Sequence, residues 1–207
     1  MIREIIVNDC LTIILFITFF FKIILKKINP ILFYENIDLI KKDLKNKISN
    51  NLYGIKLLDV AYNILFISNL SVLFTIYVNK EFNIIIYFKL FQNILLFFLL
   101  KYILDLLIGK LFITMKIMKK YVYLKIIYFN SLGILASILN LFVAYTSFEH
   151  ISIISFCICL TLILFIFSYF SIFVLMKKII YKNWFYFILY LCTLEIIPYY
   201  YLISSIL

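Results

Sequence analysis

Three stretches of the chain, 60–78, 126–148 and 151–176, carry no charged side chain at all. Each is long enough to cross the roughly 30 Å hydrocarbon core of a bilayer as a helix. The remaining sequence cannot dilute them into a water-soluble fold. The 207 residues are 66% hydrophobic and 14% charged, whereas soluble domains are about 45–50% apolar and about 25% charged. A soluble protein of this size would lack the polar side chains to cover its surface. Soluble enzymes, disordered chains and secreted disulfide scaffolds are excluded.

Three further runs are apolar but interrupted. Residues 5–25 contain Asp9 and Lys22, residues 84–108 contain Lys89, Lys101 and Asp105, and residues 184–207 contain Glu195. The resulting reading is an all-α polytopic membrane helix bundle with six transmembrane helices, forming one integral membrane domain over 1–207. The start, with Glu4 and Asp9 beside Arg3 and no small-residue cleavage site after the apolar run, reads as a retained span and not a signal peptide.

All but one of the 20 basic residues are lysines, and they cluster between the runs. Lysine-rich segments 26–59, 109–125 and 177–183 fall on one side of a six-span chain, while the other side holds only Arg3 and Lys80. By the positive-inside rule the basic loops are cytoplasmic and both termini periplasmic. The net charge of +10 therefore reads as membrane orientation and not as nucleic-acid binding. Two basic segments have helical apolar spacing: Ile37, Ile40, Leu44 and Ile48 after Asn36, and Leu111, Met115, Met118 and Val122. Both are expected to be amphipathic helices on the bilayer surface.

Catalytic signatures are absent from the sequence. Gly54, Gly109 and Gly133 are isolated, His150 is the single histidine, and no nucleophile–base set appears. Neither a metal nor a cofactor is expected, and the chain is expected not to be an enzyme. Cys10, Cys157, Cys159 and Cys192 lie in apolar surroundings and read as small buried residues.

The informative residues are the charges inside the runs. Lys22 and Lys89 lie near span ends and can extend their ammonium groups to the headgroups. Lys101 and Asp105 are spaced i,i+4 and are expected to pair, so that exchanging them should be tolerated better than neutralising either. Glu195 sits near the middle of its run, too deep for a short side chain to reach water, and leaving it ionised in lipid costs about 2.5–3.5 kcal/mol. Pro198 removes the hydrogen bond to the Leu194 carbonyl and kinks the helix beside it. Asn69, Lys89, Gln92, Asn93 and Asn140 are the expected polar partners of Glu195 in the bundle interior.

The stretch NWFYFILYLCTLEIIPYYYL resembles the C-terminal signature of an uncharacterised multi-span membrane family of Bacteroidota, a domain of unknown function. The likeness rests on Leu191, Cys192, Glu195, Ile196 and Pro198. Arg3 with Asp9, the Lys101–Leu104 run, residues 109–112 and Asn130 with Gly133 are similar in order and spacing. Cys10 departs from an expected aromatic residue, and 136–140 lacks an expected proline. The resemblance implies an inner-membrane location and supplies no activity. Together these features point to a non-enzymatic component or subunit of a cell-envelope assembly, surrounded by lipid and associated with membrane-protein partners or with itself. The alternative is a small proton- or ion-coupled transporter centred on Glu195, with Pro198, Cys192, Lys101 and Asp105 as candidate functional residues.

Overall fold

In a bilayer every backbone N–H and C=O must be satisfied within the chain, so an apolar run long enough to span becomes a helix. A computed structural model of the protein describes residues 9–30, 57–79, 82–111, 115–145 and 150–182. Within these it is all helical: α1 (Asp9–Ile28), α2 (Leu57–Asn79), α3 (Ile84–Leu111), α4 (Met115–Tyr145) and α5 (His150–Lys182). Four of them contain segments long and apolar enough to cross a membrane, namely Leu57–Asn79, Ile84–Leu107, Ile117–Tyr145 and Ile153–Met176. The fifth, α1, is 20 residues long and carries Asp9, Lys22, Lys26 and Lys27.

Local chemistry sets the helix ends. The Asp9 carboxylate lies in the first turn of α1 and Lys26 and Lys27 in its last turn, each with the sign that the helix dipole favours. Pro30 follows Asn29 and disfavours helical geometry there. Asn83 caps α3: its side-chain oxygen accepts from the Ile85 N–H at 2.9 Å, and its carbonyl accepts the first helical bond from Tyr87 N–H at 2.9 Å.

Neighbouring helices alternate in direction, as the cross-helix contacts require. Ser68 meets Tyr87 and Asn63 meets Tyr102, so α2 and α3 are antiparallel. Asp105 meets Lys125 and Phe98 meets Phe129, so α3 and α4 are also antiparallel. The most extensive packing, however, is between α2 and α4, which run parallel. Here Phe66 lies against Gly133 and Asn140 against Asn69. An aromatic cluster joins four helices around fully buried Phe129. Its ring stacks on Phe66 (5.4 Å between centroids) and Phe165 (5.1 Å) and meets the edge of Phe98 (5.5 Å). Such pairs contribute about 0.5–1.5 kcal/mol each beyond their buried area.

Two glycines let backbones approach. A Cβ on Gly109 would lie 2.8 Å from Met118 Cβ, where α3 and α4 converge, and one on Gly133 would lie 2.9 Å from Phe66 Cβ. The outer faces are apolar and exposed, with Phe16, Phe20 and Ile23 on α1, Leu99 and Leu100 on α3, and Ile166, Phe167 and Phe170 on α5. In water these would be large adhesive patches; in a bilayer they are the lipid-facing surface.

Three expectations from sequence need correction. Segment 109–125 is not a loop carrying a separate surface helix. Residues 109–111 end α3, and α4 runs unbroken from Met115. Met118 and Val122 are buried in a cluster with Ile172 and Met176 of α5, so their stripe is covered by protein and not by the membrane surface. Residues 177–182 likewise continue α5. Finally, Cys157 is buried as expected, but Cys10 and Cys159 are exposed, because an apolar helix in lipid has no polar face to turn outward. The first surface segment, with Ile37, Ile40, Leu44 and Ile48, and the sixth run, 184–207, lie outside the described residues.

Candidate functional site

The inner face of α3 is set by a stripe at three- and four-residue spacing: Tyr87, Leu90, Ile94, Phe98, Lys101 and Asp105 are all buried. Turning this stripe inward buries two charges with it. Lys101 Nζ lies 3.3 Å from Asp105 Oδ1, the pair expected from the i,i+4 spacing. A third residue joins from α4, with Lys125 Nζ 3.4 Å from Asp105 Oδ2. All three side chains are at most 1% exposed. The Lys125 ammonium also lies over the rings of Tyr121 (5.6 Å), Tyr169 (5.7 Å) and Phe129 (6.0 Å). Ring faces attract a cation, and more strongly once it is desolvated.

Its position among lysines puts Lys125 in a basic loop by sequence. Its local sequence, YVYLKIIYF, held the contrary signal: one lysine inside a run of apolar and aromatic residues, with Tyr121 and Phe129 one turn away on either side. The third residue reverses the expected result of an exchange. Lys101→Asp with Asp105→Lys brings the new ammonium at 105 against Lys125. The exchange is therefore expected to lower membrane abundance as far as neutralising Asp105 does, measured by immunoblot of membranes. Wild-type abundance of the exchanged protein would show that Lys125 does not matter.

Lys22 also departs from expectation. It does not extend to the headgroups but is 7% exposed, and its Nζ donates to the Gly133 carbonyl at 2.8 Å. Leu11, Leu15, Thr18, Lys22 and Leu25 form the buried side of α1, a spacing that carries Lys22 into the α1–α4 contact.

The side chains expected around Glu195 do not converge as a group. Asn69 and Asn140 meet: Asn140 Nδ2 donates to the Asn69 carbonyl (2.9 Å) and to its Oδ1 (3.1 Å). Lys89, Gln92 and Asn93 are exposed, because they lie off the stripe by which α3 packs. Glu195, Pro198 and Cys192 lie outside the described residues. Replacing Asn140 with leucine is expected to cost about 1 kcal/mol, read as a fall in thermal midpoint in detergent, with no change indicating that the pair is dispensable.

Residues not singled out from sequence complete the polar interior. Tyr102 OH donates to Asn63 Oδ1 at 3.3 Å, Ser68 and Tyr87 share a 2.9 Å bond, and Asp59, Asn63 and Asn130 are buried. Asparagine is common along this chain, so its presence in a run carried no signal by itself. Ser71 and Thr75 instead donate to the carbonyls of Ile67 and Ser71 in their own helix, which removes their polar groups from competition. Among the described residues no group of three His, Cys, Asp or Glu has the arrangement of a metal site.

A family model described as a domain of unknown function (DUF4271) matches residues 11–206. The chain belongs to this family. The matched region includes all five described helices except the first two residues of α1, and it also spans the 191–198 stretch. No curated protein and no solved structure matches the chain. The DUF4271 family relation thus agrees with the resemblance to an uncharacterised family, and the buried charge cluster is the site on which a reading of function must rest.

Proposed function

We propose that this chain is a non-enzymatic component of a cell-envelope assembly, embedded in the inner membrane as a single six-span unit with both termini periplasmic. One observation carries the reading: the interior polar side chains join helices to one another. Lys22 links α1 to α4, Asn140 links α4 to α2, Tyr102 links α3 to α2, and Lys125 links α4 to Asp105 of α3. Polar groups tied up in this way fix helix order and register in lipid, where apolar contact alone discriminates poorly. A rigid bundle with an apolar perimeter suits a subunit that positions neighbours. Lysines 110 and 119 are exposed at the end where α3 meets α4, the side assigned to the cytoplasm, and are available to a partner there.

Affinity purification in mild detergent tests this. A stoichiometric complex with another membrane protein supports the reading; a monomer or homo-oligomer alone overturns it. Topology is tested separately in a cysteine-free background. Cysteines at Ser49 and Lys119 are expected to be shielded from an impermeant thiol reagent in intact cells, and those at Asn79 and Glu149 to be labelled. Labelling of the first two would sink the six-span arrangement.

A second reading is favoured by the Lys101–Asp105–Lys125 cluster. Ionisable residues inside a membrane span often mark ion or proton paths, and Glu195 adds a second such group from sequence. In that case the chain is a small proton- or ion-coupled transporter. Glu195→Gln then leaves abundance unchanged but abolishes proton-coupled uptake or growth, whereas the assembly reading expects growth to persist.

A further inference from the structure

Lys22 is the buried cation of α1, and it differs from Lys101 and Lys125 in having no carboxylate against it among the described residues. Its ammonium has three N–H groups and one protein acceptor, the Gly133 carbonyl. The helices that α1 packs against carry buried polar atoms that are unmatched. Tyr62 OH, Asn63 Nδ2 and both side-chain polar atoms of Asn130 are buried and make no hydrogen bond, and their residues are at most 5% exposed.

The helix register brings Tyr62 and Asn130 toward Lys22. Asn130 lies one turn before Gly133, on the α4 face that Lys22 reaches. The contact of Phe66 with Gly133 sets α2 against parallel α4 so that Tyr62, one turn before Phe66, lies near the level of Asn130, whereas Asn63 is turned to α3, where its Oδ1 accepts from Tyr102. Tyr62 packs in one cluster with Leu25, one turn from Lys22 on α1. A buried orphan donor or acceptor costs about 1–3 kcal/mol, and two such side chains, Tyr62 and Asn130, close to a buried lysine with a single acceptor point to an occupant.

The chemistry of the set selects that occupant. The ammonium, the phenol O–H and the Asn130 NH2 group are donors, against the phenol oxygen and Asn130 Oδ1 as unmatched acceptors. Asp59, one turn from Asn63, is engaged in an interaction of its own. A donor-rich, singly cationic site in a low dielectric suits an anionic oxygen group. Lys22 is six residues from the end of α1, about 9 Å along the axis, so a phosphate entering from the nearby interface needs only a short descent.

We propose that the junction of α1, α2 and α4 binds a phosphate group through Lys22, with Tyr62 and Asn130 as neutral contacts. The source is either a lipid headgroup or free phosphate. This site is independent of the proposed assembly role.

The full-length protein is purified in dodecyl maltoside, which carries no phosphate, and its thermal midpoint is followed against inorganic phosphate. In parallel, protein purified from vesicles of phosphatidylcholine with phosphatidylglycerol is examined by native mass spectrometry for one retained anionic lipid. A phosphate-dependent rise in midpoint assigns a free anion, and retention of phosphatidylglycerol alone assigns a headgroup. Lys22→Met is expected to weaken whichever binds by about ten-fold or more, and Tyr62→Phe by about five-fold. Tyr62→Phe removes a hydroxyl that bonds to nothing in the protein, so it leaves folding intact and reports on the ligand even where Lys22→Met fails to accumulate. Absence of both ligands from the wild type, or unchanged binding by Tyr62→Phe, overturns the proposal.

Discussion

Replacing Asp105 with asparagine is expected to remove most of the folded protein from the membrane. The Asp105 carboxylate lies 3.3 Å from the Lys101 ammonium and 3.4 Å from that of Lys125, and all three groups are withdrawn from solvent. Asparagine keeps the shape and withdraws the negative charge that lies against two cations. Breaking a buried pair by removing one partner costs about 3–5 kcal/mol, a large share of the roughly 5–15 kcal/mol by which folded proteins are stable. Immunoblotting of membranes and the thermal midpoint of purified protein both read this loss. A companion variant separates architecture from chemistry. Exchanging all three residues for apolar ones, Lys101→Met with Asp105→Leu and Lys125→Met, removes the desolvation penalty together with the attraction. Such replacements are often neutral or stabilising. The triple variant is therefore expected to recover much of the abundance lost by Asp105→Asn. If it accumulates and supports growth, the cluster is structural. If it accumulates and growth fails, the cluster takes part in transport and the second functional reading gains. Wild-type abundance of Asp105→Asn would falsify the account of the site.

Gly133→Ala is expected to be the most damaging conservative change on α4. The added Cβ would lie 2.9 Å from Phe66 Cβ and 3.1 Å from Phe66 Cα. A main-chain atom cannot rotate away, so α2 and α4 must move apart. Overpacking of this kind costs about 1–3 kcal/mol. Separation would also strain the Asn69–Asn140 contact two turns along and shift the carbonyl that holds Lys22. Gly133→Val should be worse than Gly133→Ala, and truncating Phe66 to alanine should rescue neither fully, because Phe66 backbone atoms are themselves in contact. The check is the thermal midpoint of each variant in detergent. A midpoint for Gly133→Ala equal to wild type would mean that the two helices are not in close contact at this position.

Much of the architecture was legible in the residues because the governing rule is local. Residues in an uncharged run must hydrogen-bond within their own segment when they enter lipid, so 60–78 and 151–176 became helices whatever they pack against. The Lys101–Asp105 pair was legible for the same reason, since an i,i+4 spacing places both side chains on one strip of any helix. Boundaries were less accessible. The lysines at 116, 119, 120 and 125 suggested a break before 126, yet α4 starts at Met115 and carries them as its first turns.

What the sequence left undetermined is which way each helix faces. Apolar residues surround nearly the whole circumference of α3, so no amphipathic contrast marks its inner side; α1 does have a more polar side, with Thr18 and Lys22, and in the bundle that side faces inward. The lack of contrast on α3 makes Gln92 and Asn93 look like interior partners, and the position of Lys22 near its span end makes it look bound for the headgroups. Only tertiary packing chose between them. Parallel α2 and α4 approach at Gly133, α1 docks its Leu11–Leu25 stripe against them, and α3 turns Lys101 and Asp105 toward Lys125. The sequence by itself determined that the chain makes apolar helices suited to a membrane and that two of its charges pair. The choice of inward face, and with it the three-residue charge cluster and the buried Lys22, belongs to the packing. In lipid, rotating an apolar helix about its axis changes little until a neighbouring helix supplies the polar groups that one orientation satisfies and the others do not.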